Sequence, residues 1–186
     1  MKDNPITIGI DDSTFNLKSG IKTTQLIGVV CQGTRMVSVV KAKINIDGNN
    51  ATQTIIDLLQ EHEKLVHYIF THTITFGGFN IIDLEEIYQK VKKPIIAFND
   101  RSINLDSVVK ALAKKFPESY KEKIEYILNA GNLYQSNIQT AGGLSTIYFH
   151  LKGIEISEAN FLIKNCSIDS KLPECLRLAH LIGKLF

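Results

Sequence analysis

The alternation across residues 36–46 constrains the fold more than any other feature of this chain. Val37 and Val39 flank Ser38, and Ala42, Ile44 and Ile46 then interleave with Lys41, Lys43 and Asn45. A period of two marks a strand with one wet face. Two more β-rich runs precede it, at residues 6–10 and 25–31, and Gln32-Gly33-Thr34-Arg35 offers a hairpin between the second run and the third. Three strands therefore come before any helical spacing.

The pattern then changes. Asp47-Gly48-Asn49-Asn50 breaks the strand and offers a helix N-cap, after which Ile55, Ile56, Leu58, Leu59 and Leu65 recur at helical spacing. A strand is predicted over 66–70, a helix over 83–92 and a strand over 94–98. Helical segments over 105–116 and 120–128 flank Pro117, which marks the break between them. One more strand is expected at 147–151 and a helix at 158–164. A last helix opens at Leu172-Pro173-Glu174, with proline favoured in the first turn. The order β-β-β-α-β-α-β predicts an α/β fold on a mixed sheet, antiparallel on one side and parallel on the other. Neither a repeat nor a long linker divides the 186 residues, so a single domain spanning 1–186 is expected.

Composition excludes several classes. Hydrophobic residues make up 44% and charged residues 22%, which argues against long disordered tails. A net charge of +2 does not by itself identify a polyanion partner. Arginine, the better bidentate phosphate ligand, occurs only at positions 35, 101 and 177. The three cysteines form no C-x-x-C pair, so neither a zinc site nor a disulfide framework follows, and Cys31 reads as a small core residue. The N-terminus lacks an apolar signal region and no run is long enough to span a bilayer, so a cytoplasmic protein without membrane contact is expected.

The chemistry gathers at strand ends. Asp11-Asp12 follows the first apolar run and His72 follows the run at 66–70. Alternation places Gly9 and Asp11 on one face and Asp12 on the other, so Asp11 is the favoured site residue, with Gly9 leaving space beside it for an ion or phosphate. The same pair also suits a simple strand-ending turn. Asp47, at the close of the third strand, could hold a hard cation or serve only as the Asp of an Asp-Gly turn. Gly77-Gly78 permits positive φ and close approach to a ligand, while Phe76 and Phe79 could stack on a base or anchor the core. Arg177 could neutralise a phosphate or pair with Glu174 three residues earlier. Arg101 follows the strand at 94–98, at the usual ligand edge of parallel strands.

Four separated motifs carry a resemblance. Gly9-Ile10-Asp11-Asp12, Ile46-Asp47-Gly48 with Ala51-Thr52, Phe76-Gly77-Gly78-Phe79-Asn80 with Asp83, and Pro173-Glu174-Cys175-Leu176-Arg177-Leu178-Ala179-His180 together resemble an archaeal family long labelled a domain of unknown function, number ninety-nine. That family is regarded as related to endonuclease V, with a member described as an endonuclease acting at deoxyuridine in DNA. The resemblance covers nearly the whole chain. It implies a ribonuclease H-like fold and hydrolysis of phosphodiesters near deaminated bases. It further implies Mg2+ or Mn2+ as cofactor, with Asp11, Asp12 and Asp47 as metal ligands and Asp11, Asp47 and His72 as catalytic residues. Phe76, Gly77, Gly78, Phe79, Asn80, Arg101 and Arg177 become substrate-binding candidates. The implied partner is DNA with deaminated bases, and a homodimer is compatible with the reading. Such nucleases use carboxylates to hold two ions roughly 3.5–4 Å apart beside the scissile phosphate.

His72-Thr73 departs from the family pattern, which has Asp-Gly there. Imidazole is a neutral ligand better suited to transition ions than to magnesium. Replacing the carboxylate removes one negative charge from a site built for dications. A weakened or manganese-shifted nuclease is one consequence, and a nucleic-acid binder without catalysis on the same fold is the alternative.

Overall fold

The computed structural model describes residues 4–62, 64–102 and 104–186. Its centre is a seven-stranded sheet with strand order β3-β2-β1-β4-β7-β9-β8. In chain order β1 is Ile6–Asp12, β2 Thr23–Gln32, β3 Arg35–Asn45, β4 Tyr68–His72, β7 Ile95–Asn99, β8 Tyr134–Thr140 and β9 Gly143–Lys152. The short strands β5 (Thr75–Phe76) and β6 (Asn80–Ile81) form a separate hairpin around Gly77-Gly78. β1, β4 and β7 are parallel neighbours, while β2–β3 and β8–β9 extend the sheet as antiparallel hairpins at opposite ends. The mixed sheet expected from the sequence is present, with an antiparallel pair at both edges rather than at one.

Six helices cover the two faces: α1 (Ala51–Gln60), α2 (Leu84–Val91), α3 (Leu105–Lys115), α4 (Tyr120–Asn129), α5 (Ile156–Cys166) and α6 (Glu174–Gly183). Alternation along β1 divides two cores. Ile8 and Ile10 pack with Ile55, Leu59, Ile87 and Leu112 under α1–α4, whereas the opposite face of the sheet packs Phe70, Ile96, Phe98 and Phe149 beneath α5 and α6. Burial of these apolar side chains on both sheet faces supplies the main stabilising term. No helix among the described residues is long and apolar enough to cross a membrane.

Two local expectations change. β4 runs to His72 rather than ending at Phe70, because its pairing with β7 continues through His72 opposite Phe98. β8 was not foreseen. Its sequence is mostly polar, since this edge strand turns inward only Tyr134, stacked on Phe149, and the buried Ile138, while Gln135, Asn137 and Gln139 face solvent.

Gly9 shows how tightly α6 seats on the sheet. A Cβ at this position would lie 2.4 Å from the Cys175 carbonyl carbon and 2.4 Å from the Leu176 nitrogen. The space over Gly9 is thus filled by the first turn of α6, so the glycine serves helix packing and does not clear room for an ion as the sequence suggested. Gly9→Ala must push helix backbone away from the sheet, and we expect a loss of about 3 kcal/mol. Denaturant unfolding checks this; a variant as stable as the parent would show that the helix shifts freely.

Candidate functional site

The carboxyl ends of the parallel strands β1, β4 and β7 meet at one edge of the sheet, where open α/β folds place their ligands. β1 delivers Asp11 and β4 delivers His72 to the α6 side of the sheet, where α6 adds His180. His72 Nδ1 lies 3.1 Å and His180 Nδ1 2.9 Å from the same oxygen, Asp11 Oδ2. The other oxygen, Oδ1, accepts the Asp12 N–H at 2.9 Å. The two imidazoles meet edge to face, 5.7 Å between ring centres. Asp11 is only 2% exposed, so these partners provide what water cannot.

His72 reaches a second acid. Its Nε2 is buried without a hydrogen-bond partner among the described residues and stands 3.6 Å from Asp100 Oδ2. Burial pulls the His72 imidazole down, but the Asp11 hydrogen bond and the charges of Asp11, Asp100 and Asp12 outweigh it, leaving its pKa above 6.5. Asp100 itself is held below its ordinary range: burial raises it, and Lys171 and His72 more than compensate.

Asp12 points to the other face, as alternation requires, where its Oδ2 accepts the Gly77 N–H at 2.6 Å. Burial pushes its pKa up to about 6, against the pull of the Gly77 bond and with the Asp11 charge pushing further upward. Because the strand ends here, both acids still line one cavity of about 410 Å3, together with Ser13, His72, His180 and Lys184. Asp11, His72 and His180 each offer a donor atom, all within 4.8 Å of one another. Two imidazoles and one carboxylate make a set that fits manganese, zinc or a similar ion better than magnesium, which prefers oxygen.

Asp47 does not join this group. It sits behind the Gly77-Gly78 turn with φ 56°, and its Oδ1 accepts the Phe79 N–H at 3.0 Å while Oδ2 pairs with Lys115 at 2.5 Å. Its own N–H donates to Gly77 O at 2.7 Å. A Cβ on Gly78, where φ is 86°, would lie 2.5 Å from Asp47 Oδ1, so the glycine lets the turn close on the acid. Lys123, 4% exposed, completes the clamp by donating to Gly48 O at 2.7 Å and Phe79 O at 2.8 Å. A carboxylate so engaged holds the turn in place rather than facing the notch.

The remaining sequence candidates separate. Gly78 lines the notch, whereas Phe79 and Arg101 line a neighbouring cavity. Gly77 acts through its backbone, toward Asp12 and Asp47. Phe76 is fully buried in the core beneath α1–α4, so it anchors packing instead of meeting substrate. Asn80 is also fully buried: Oδ1 accepts the first helical N–H of α1, from Ala51, and Nδ2 donates to Asn45 O and Asn50 Oδ1. It caps a helix from a distant segment, and its amide is saturated. Arg177 pairs with Glu174 and Asp169, the pairing among its two sequence readings, although Glu174 is buried and not on a solvated face. His180 and Asp100 belong to the site although the sequence reading assigned them no role. Asp100 precedes Arg101 at the same strand end. His180 stands on the helix that carries Arg177, but only its approach to Asp11 reveals it.

With this geometry in view, comparison with known proteins is decisive for kinship. A family model described as Endonuclease dU matches residues 6–186. The chain belongs to this family. A UPF0215 protein of Methanocaldococcus jannaschii is 36% identical over 188 residues, spanning 100% of this chain and 96% of that protein. One from Thermococcus sibiricus is 35% identical, spanning 95% and 89%. A protein of unknown function from Archaeoglobus fulgidus superposes with TM-score 0.83 at 26% identity, covering 96% of both chains. Bacillus subtilis endonuclease V has TM-score 0.62 at 12% identity, over 96% of this chain and 78% of that one. This last likeness establishes a shared ribonuclease H-like fold.

Two expectations follow. Asn80→Ala would strand the Ala51 N–H and the Asn45 carbonyl, and should cost about 2–3 kcal/mol in denaturant unfolding; a neutral result would mean the cap is dispensable. Asp12, with its folded pKa raised from 3.8 to about 6, keeps its proton longer when folded, so its contribution to stability falls as pH rises through that window. His72, also raised, contributes stability below pH 6.5 that is lost as pH climbs through its folded pKa. Stability measured against pH should therefore decline from 3.8 to about 6, and Asp12→Asn should flatten that limb. An unchanged slope in the variant would assign the titration elsewhere.

Proposed function

We propose that this protein is a metal-dependent endonuclease that hydrolyses a phosphodiester near a deaminated base in DNA. The convergence of His72 and His180 on one Asp11 oxygen, in an open notch at the carboxyl edge of the sheet, carries this reading. Family membership and the fold shared with endonuclease V support it. Asp11, His72 and His180 would hold the ion, and a bound ion there would supply Lewis-acid polarisation of the phosphate and activation of water. Asp11 brings the negative charge that anchors the site. Asp100 orients the His72 ring from its far side, and Lys184 on the rim adds positive charge for the nucleotide backbone.

Titrating the metal-free protein with Mn2+ should raise its Tm, because binding to the folded state alone stabilises it. His180→Ala should abolish most of that rise, and Mg2+ should produce a smaller one. In cleavage assays on uracil- or inosine-containing DNA with Mn2+, Asp11→Ala should lower the rate at least 100-fold, roughly the loss of one transition-state electrostatic contact. Undiminished cleavage by that variant would remove Asp11 from the reaction.

One observation favours a second reading. Both imidazoles already satisfy Asp11, so the trio holds together as a hydrogen-bonded network without a metal. A non-catalytic nucleic-acid binder would show salt-sensitive binding and no cutting with any ion. Under that reading His72→Asp, which restores the carboxylate of the family pattern, should create Mg2+-dependent cleavage.

A further inference from the structure

A second cavity, about 620 Å3, adjoins the notch and shares Thr73 and Thr75 with it. Ile74, Phe79, Ile81, Val108 and Ile127 give it an apolar wall, and Asn99, Asp100, Arg101 and Asn104 are among the polar residues that also line it. Phe79 is held by the Asp47–Lys115–Lys123 clamp and packs edge to face on Phe116, 5.7 Å between centres. Its position is therefore set before any ligand arrives. A slot of this size with an aromatic wall suits a flat ring, since base-handling enzymes stack an extruded base between aromatic and apolar side chains.

One polar group inside it is unexplained by the fold. Asn99 closes β7, and alternation along that strand places it with Ile95 and Ala97 on the face beneath α3 and α4. It is 8% exposed, it lines this cavity, and its Nδ2 is buried with no hydrogen-bond partner among the described residues. Leaving an amide N–H pair buried and unmet is costly, and folded proteins rarely keep one without a use. Ile95 and Ala97, on the same face of the strand, show that an apolar side chain would pack well here. An asparagine in that place awaits a ligand with complementary atoms.

We propose that Asn99 reads the edge of an unstacked base bound in this cavity, its amide donating to a ring carbonyl while its oxygen accepts from the adjacent ring N–H. A lactam edge, carbonyl beside N–H, is what deamination creates in uracil and hypoxanthine; cytosine and adenine carry an amine beside a bare ring nitrogen. The inference rests on the proposed action near deaminated bases and names the side chain that tells a lactam edge from the amine edge of cytosine and adenine. Asp100 strengthens it, because the carboxylate that faces His72 at the notch is the residue next to Asn99. Base recognition and the metal-binding edge are thus joined through a single peptide bond.

The test is binding of the full chain, without metal, to short single-stranded oligonucleotides that differ only at a central uracil, cytosine or abasic site. The parent should bind the uracil strand about tenfold more tightly than the other two, the worth of one to two neutral hydrogen bonds. Asn99→Ala should erase that ratio while leaving affinity for the abasic strand and Tm unchanged, because its Nδ2 has no hydrogen-bond partner among the described residues. Asn99→Asp, an acceptor only, should erase the ratio as well, because it meets one donor and one acceptor on either base. Val108→Trp, which fills the cavity from α3, should also erase the ratio without touching Asn99. A parent that does not distinguish the three strands, or an Asn99→Ala protein that keeps the full ratio, overturns the proposal. Base-selective binding with no cleavage in any metal would instead uphold it and refute the nuclease reading.

Discussion

Parallel pairing of β1 with β4 is the interaction on which everything functional depends. The register sets Ile10 opposite Thr71, so the next residues, Asp11 and His72, leave the sheet side by side on the same face. α6 then lies across that face, its first turn pressed onto Gly9 and its second turn bringing His180 to Asp11. A slip of one residue in either strand would turn Asp11 or His72 to the opposite face and dissolve the cluster. A nearly inaccessible carboxylate is tolerable only because two imidazoles and a backbone amide surround it.

The turn at Gly77-Gly78 forms the partition between the two cavities. It is held by four side chains from separate segments: Asp12 on the Gly77 amide, Asp47 on the Phe79 amide, Lys115 on Asp47 and Lys123 on the Phe79 carbonyl. Opposite charges and backbone groups are matched at each contact, which makes a two-residue hairpin rigid without a large core of its own. Gly78 can therefore border the notch while Phe79, one residue later, walls the neighbouring cavity.

Much of the fold was legible because hydrophobic spacing reports burial directly. The alternation after Met36, the helical spacing from Ile55 and the apolar runs before Asp11 and in β7 all correspond to elements found. β8 was not legible, since an edge strand with a single buried residue leaves almost no hydrophobic signal. The site was legible only in part. Asp11 and His72 stand at strand ends, where ligands gather, and both reach the notch. Asp47 and Asn80 are of equally suggestive types but spend their polar atoms on backbone groups of neighbouring segments. Residue type cannot distinguish a carboxylate that faces solvent from one that faces a turn.

Sequence alone determined the class of fold and the kinship of the chain, because these are written in local spacing and motif identity. Tertiary structure decided which charged groups share a site. His180 lies 169 positions from Asp11 and meets it only because α6 packs across β1; Asp47 misses the notch because a two-glycine turn stands between. Such choices are made by packing between distant segments, and no local pattern along the chain encodes them.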